Sequence, residues 1–320
     1  MFCGMTLLRI ILIAALLASI AFPLSAQNRP QERPTPYRIA ETGKSYRSLA
    51  DAVSRIGGGT GTIEVQAGIW RDCVVQEAGN ITFRAVTPGT AIFDGGVCED
   101  KATLVLRGRS ARVEGLIFQN IAVRDENGAG IRLERGDLTV VNSLFRDSQQ
   151  GILSAEYRGG RIVIDKSTFS GLGLCQSDCA HSLYIGDYGS LTVTRSRFER
   201  GQGGHYVKSR AAQVSITDSS FDDSNGNGSN YMIDLPGGAS GEITRNIFVQ
   251  GQNKENWSAF IAVAAEGRSY SSAGLQIFDN SANLAPGVSR NTWFVANWSR
   301  DAIPLGENRL GKGLSPYDQR

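Results

Sequence analysis

Between residues 111 and 248 the hydrophobic positions follow one recurring phrase: alternating apolar residues, two variable positions, a Ser or Asn, one further residue and a Phe. It reads "LTVVNSLF", "IVIDKSTF", "LTVTRSRF" and "VSITDSSF", and more loosely "ARVEGLIF" and "GEITRNIF". The phenylalanines are Phe118, Phe145, Phe169, Phe198, Phe221 and Phe248, at steps of 27, 24, 29, 23 and 27 residues. Apolar residues at every second position have the period of a strand, whose alternate side chains face opposite sides. The segments between are rich in Gly, Asn, Asp and Ser, the residues of turns. A unit this short cannot bury a core alone, so the units must stack as a solenoid. A helical repeat would show a period near 3.6 and far fewer than the 38 glycines present. Ahead of the repeats, "YRSLADAVSRIGGGTGTIEVQAGIW" sets Leu49, Val53 and Ile56 at helical spacing. This predicts a short amphipathic helix covering the otherwise bare strand edge at the solenoid's end.

A short helix followed by stacked β coils resembles the right-handed parallel β-helix proteins of the pectate-lyase-like superfamily. The resemblance covers residues 45–285 and implies an all-β, single-domain right-handed parallel β-helix of roughly nine coils. Residues 286–320, containing "NTWFVANWSRDAIPLGENRL", are expected to be a C-terminal cap and tail. Residues 27–44, which open "QNRPQERPTPY", are expected to be a proline-rich linker.

The extreme N-terminus has a different pattern. Residues 1–26 carry one charge, Arg9, then an apolar run and a small residue at Ala26, the layout of a secretory signal peptide. The run is shorter than the roughly 20 residues of a membrane-spanning helix. Export to the periplasm or medium is expected, with no membrane insertion after cleavage. Losing Arg9 lowers the formal charge from +2 to +1. So neutral a chain lacks the basic stripe that nucleic acid or an anionic membrane demands. Apart from Cys3 in the leader, the cysteines are Cys73, Cys98, Cys175 and Cys179, an even number for an oxidising compartment. Cys73 and Cys98 are 25 residues apart, one coil, and are expected to bridge; Cys175 and Cys179 would close a tight loop leading into His181. A four-cysteine zinc site is the alternative.

Candidate chemistry gathers in three successive coils that begin "HSLYIG", "HYVKSR" and "YMIDLP". Lined up, the third and fifth positions are mostly apolar (Leu183, Val207, Ile233; Ile185, Ser209, Leu235) and should face the core. The fourth position, Tyr184, Lys208 and Asp234, then faces outward, and Tyr206 and Arg210 are expected on the same face. The chain's two histidines, His181 and His205, are 24 residues apart and share one column. A stacked imidazole pair suits proton transfer near neutral pH, or else forms a polar ladder. Tyr231 and Trp257 are expected as sugar-stacking platforms, and Glu266 as a border of the same groove.

Resemblance to the superfamily's polysaccharide lyases implies β-elimination on an acidic, uronate-containing polysaccharide. A cation would neutralise the uronate carboxylate, a base would take the adjacent carbon-bound proton, and an acid would protonate the leaving oxygen. Arg210 is the candidate for the carboxylate and Lys208 for the base, with Tyr184, Tyr206 or a histidine returning the proton. Asp234 would orient Lys208 or Arg210. The Lys and Arg stand two apart on one strand, whereas in those lyases they often come from neighbouring coils. No dense acidic cluster like the calcium site of pectate lyases is present, so no metal and no cofactor is expected. Three alternatives stay open: a non-catalytic glycan-binding β-helix, a uronate epimerase, or a glycoside hydrolase pairing Asp234 with Asp187 or Glu266.

Overall fold

Each repeat phrase turns a corner between two strands. The residue before its Ser or Asn adopts a left-handed backbone: Asn142, Lys166, Arg195, Asp218, Arg245 and Asp279 have φ between 47° and 56°. The Ser or Asn that follows points inward and receives the backbone N–H of the coil before it. In the computed structural model, Ser143 N donates to Ser167 Oγ, and the same bond runs on through Ser196, Ser219, Asn246, Asn280 and Asn308 at 3.0–3.3 Å. These bonds satisfy backbone groups that the corner takes out of the sheets. The following Phe enters the core. Phe93, Phe118, Phe145, Phe169, Phe198, Phe221 and Phe248 form one stack, with centroids 4.8–5.6 Å apart. Phe260 and Phe294 close it edge-on at the C-terminal end.

The structure describes Met1, residues 34–176 and residues 179–320. The expected signal peptide therefore lies outside the described residues, apart from Met1. From Thr60 on, nine coils each contribute one strand to each of three sheets, as Thr60–Val65, Gly68–Trp70 and Val74–Gln76 do in the first, and a last turn adds strands to the second and third sheets alone. The sheets hold 11, 10 and 10 strands, and neighbouring coils pair in parallel register. The right-handed parallel β-helix expected from the sequence is thus the fold. The predicted helix α1 spans Leu49–Ile56; Ser48 caps it through the Asp51 N–H, and Leu49, Ala52 and Val53 are its buried face.

Two expected boundaries shift. Tyr37–Ile39, assigned to the linker by composition, is a strand that pairs antiparallel with Thr60–Val65. Its Tyr37 and Ile39 are buried, so this apolar pair covers the first coil's edge. At the other end, Thr292–Asn297 and Leu314–Gln319 continue the third sheet in parallel register, so coils persist into the expected cap. Both expected disulfides form, Cys73–Cys98 and Cys175–Cys179, which removes the four thiols from the zinc alternative.

Candidate functional site

The third sheet carries the candidate residues on its outer face. Strands Leu183–Ile185, Val207–Ser209 and Ile233–Leu235 pair so that Tyr184 lies beside Lys208, and Lys208 beside Asp234. The inward partners Leu183, Val207 and Ile233 are fully buried, which fixes the alternation. Glu266 arrives from the loop after the next strand, Ala259–Val263, anchored by its own N–H to Pro236 O and by the left-handed Ala264. Its carboxylate bridges the two cations: Oε1 is 2.6 Å from Lys208 Nζ, and Oε2 accepts from Arg210. Arg210 Nε also donates to Tyr184 OH at 3.3 Å, while Lys208 Nζ stands 5.6 Å from the Tyr184 ring centroid. Asp234 lies beneath, with Oδ2 3.8 Å from Lys208 Nζ and 3.4 Å from His205 Nε2, and with Oδ1 buried and unpartnered.

At the lip where the coils enter this sheet, His181, His205 and Tyr231 stack in a column, with centroids 4.9 and 5.6 Å apart. His205 N donates to His181 Nδ1 at 2.9 Å, leaving the proton of a neutral His181 on Nε2. Gly204 permits this approach. Its φ is +58°, and a Cβ there would lie 2.1 Å from Ala180 O and 2.5 Å from His181 Nδ1.

Burial sets the charges. It draws His181 down to about 3, with the nearby Lys208 and Arg210 adding to the fall. Burial, then His181 and Lys208, holds His205 well below the usual imidazole range. Both rings are therefore neutral near pH 7, which of the two readings offered by the sequence favours the polar ladder. Burial pushes Asp234 up to about 7; Glu266 adds to the rise, and Lys208 and Arg210 oppose it. Glu266 sits below the ordinary carboxylate range: burial works against its charge, but the bonds from Lys208 and Arg210 outweigh it.

A family model described as right handed beta helix region matches residues 102–299. The chain belongs to the right-handed β-helix family. Among solved structures, a pectin methylesterase variant in complex with a hexasaccharide is similar at a TM-score of 0.44 and 11% identity, over 76% of this chain and 77% of that one. The ORF18 protein of Geobacillus virus E2 is similar at 0.48 and 14%, over 81% and 52%. A PL6-family alginate lyase is similar at 0.42 and 15%, over 84% and 38%. At such identities the likeness is one of fold, and this β-helix spans about half or less of the length of the last two. The sequence matches no curated protein.

On the β-helix surface, five expected residues converge: Tyr184, Lys208, Arg210, Asp234 and Glu266, with His205 and His181 packed against them. Glu266, expected only at the border, is the centre of the ionic cluster. Tyr206 is a correction. It is 1% exposed, its OH donates to Asp223 Oδ1 at 2.7 Å, and it faces the core. The strand starts one residue later, at Val207, so strict alternation does not extend back to Tyr206. Asp223 is further bonded to Lys254 in a fully buried ion pair, which anchors that tyrosine beneath the lip. Asp187, the other hydrolase candidate, is engaged by Arg158 and Tyr270. Tyr231 is half-buried on His205. Trp257 is half-exposed one coil further on, with Arg290 over its ring. The sequence reading missed Arg132, which shares the outward column of Tyr184 and Lys208 through the register with Leu153. Extending the strand alignment two coils upstream would have found it.

Proposed function

We propose that this protein is an exported enzyme that cleaves an acidic, uronate-containing polysaccharide by β-elimination. The observation that carries the reading is the fork of Arg210 and Lys208 closing on one carboxylate, that of Glu266. A pair of donors that grips a side-chain carboxylate has the charge and spacing to grip a uronate carboxylate. Arg210 is the more accessible cation, with a third of its side chain exposed. It pairs with the substrate carboxylate and draws charge from the adjacent C–H. Lys208 acts as the free amine, having released its ammonium proton to solvent, and accepts the proton as that C–H bond breaks; the electron pair of that bond forms the carbon–carbon double bond while the glycosidic C–O bond breaks. Tyr184, bonded to Arg210, donates the proton that the leaving oxygen needs. Asp234, buried below Lys208, is a positioning residue. Two disulfides among the described residues support an oxidising, extracytoplasmic location.

A second reading rests on the split between the two carboxyl groups around Lys208, one held up near 7 and one held down. Such a split is the pattern of an acid and a base or nucleophile in glycoside hydrolysis. The 2% exposure of Asp234 weighs against it, since an acid must touch its substrate. One experiment separates the two. The purified protein is incubated with a panel of uronate polysaccharides, following both ultraviolet absorbance from the unsaturated product and new reducing ends. Absorbance that rises, and is abolished by Lys208→Ala, supports elimination. Reducing ends without absorbance support hydrolysis, and binding without either product that survives Lys208→Ala returns the protein to a glycan-binding role.

A further inference from the structure

A cleft of about 370 Å³ opens on the third sheet immediately upstream of the ionic cluster, and Tyr184 and Arg210 line both. Its far wall holds Arg132. Three register steps, Arg132 to Leu153, Leu153 to Tyr184 and Tyr184 to Lys208, separate it from the fork. At about 4.8 Å per step this is roughly 14 Å along the solenoid axis. Among the described residues the Arg132 guanidinium makes no hydrogen bond. Its Nε is buried and unpartnered, yet a quarter of the side chain remains exposed. The nearest carboxylate, Glu134, is 4.0 Å away and is already bonded to Lys101 at 2.8 Å and to Arg107 at 2.5 Å. A desolvated Nε–H without an acceptor is costly, and a ligand that supplies one, while meeting the exposed end of the guanidinium, recovers that cost. In that column the positions between Arg132 and the fork are Leu153 and Tyr184, one apolar and one aromatic, and the partly exposed Tyr184 ring suits the C–H face of a sugar.

We propose that Arg132 forms a second carboxylate subsite, which takes a uronate several residues along the same chain whose reacting uronate lies in the Arg210–Lys208 fork. The inference rests on the uronate reading above and adds to it a length requirement. The cleft is not broadly basic: Asp125 and Glu156 line it beside Lys101 and Arg132. Recognition is therefore local, with the carboxylate on Arg132 and sugar hydroxyls donating to the acidic side chains. The ligand is an oligouronide longer than a dimer, because a dimer seated in the fork stops short of Arg132.

The test measures affinity by calorimetry for size-defined oligogalacturonates and oligomannuronates, dimer against hexamer, in the wild type, Arg132→Ala, Arg132→Gln and Arg210→Ala. Thermal melts check that each variant is folded, and Arg132→Gln substitutes for the Ala variant if that one melts early. Arg132→Ala is expected to weaken hexamer binding about tenfold and leave the dimer unchanged, whereas Arg210→Ala weakens both. Unchanged hexamer affinity in Arg132→Ala, or equal loss for dimer and hexamer, overturns the subsite while leaving the fork intact. A wild type that binds no uronate of either length overturns the uronate reading itself, and the subsite with it.

Discussion

Replacing Asp234 by Asn should stabilise the protein above neutral pH and have little effect in acid. The Asp234 carboxyl is 2% exposed, and its Oδ2 faces only the neutral His205 at 3.4 Å and the Lys208 ammonium at 3.8 Å. These contacts are too long to compensate for lost hydration, so the group keeps its proton up to about 7 instead of releasing it near the ordinary 3.8. Between those values the folded protein holds a proton that the unfolded chain has given up. Stability therefore falls as pH rises through the window, by about 1.4 kcal/mol per pH unit and about 4 kcal/mol in all. The penalty is absent below the lower value and complete above the upper one. Asn keeps the shape and is neutral throughout. Variant minus wild type, the unfolding free energy should thus climb from near zero at about pH 4 to as much as about 4 kcal/mol at about pH 8. Titrations of groups remote from Asp234 cancel in the difference. Urea unfolding followed by tryptophan fluorescence, repeated across that range, reads it directly. A flat difference would refute the argument. A difference that falls with pH would show that Lys208 holds Asp234 ionised in a true ion pair.

Three further outcomes follow from the same geometry. Phe169→Ala, which removes a fully buried ring stacked on Phe145 and Phe198, should cost about 4 kcal/mol, visible as a lowered urea midpoint. Replacing both Cys73 and Cys98 by Ala frees a 25-residue separation and should cost about 3 kcal/mol; reducing agent should lower the melting temperature of the wild type far more than that of the variant. Glu266→Gln removes the internal carboxylate that competes for the Arg210–Lys208 fork. Uronate affinity should rise about tenfold at low salt, and a fall would mean that Glu266 itself binds the sugar.

The repeat phrase was legible because each of its letters performs one local task. Its Ser or Asn carries the bond between corners, its Phe carries the stack, and the residue before them takes the left-handed turn. Phe93 escaped notice because a longer corner, residues 86–90, separates its strand from the preceding one and Ala91 stands where the phrase asks for Ser or Asn. The Tyr184, Lys208 and Asp234 column could be aligned on paper because within one strand the side-chain period is strictly two. The same rule failed at Tyr206, where the chain is still leaving its loop and the ring turns in toward Asp223. Two charged residues show the limit of local reading. Glu266 meets Lys208 across 58 positions of sequence, and Arg132 is defined by the acceptors it lacks.

By itself the sequence determined the architecture: a repeated, locally satisfied phrase that can bury its apolar face only by stacking on copies of itself, and so winds into parallel coils. It also determined which face of the third sheet carries the candidate residues, since alternation is a property of the strand alone. The tertiary structure alone decided the chemical state of that face. Which carboxylate holds the cations, which one keeps its proton, and that both histidines stay neutral depend on burial and on distances between coils. Those electrostatic terms arise from loops of separate coils brought within a few ångströms, a juxtaposition that no local pattern encodes.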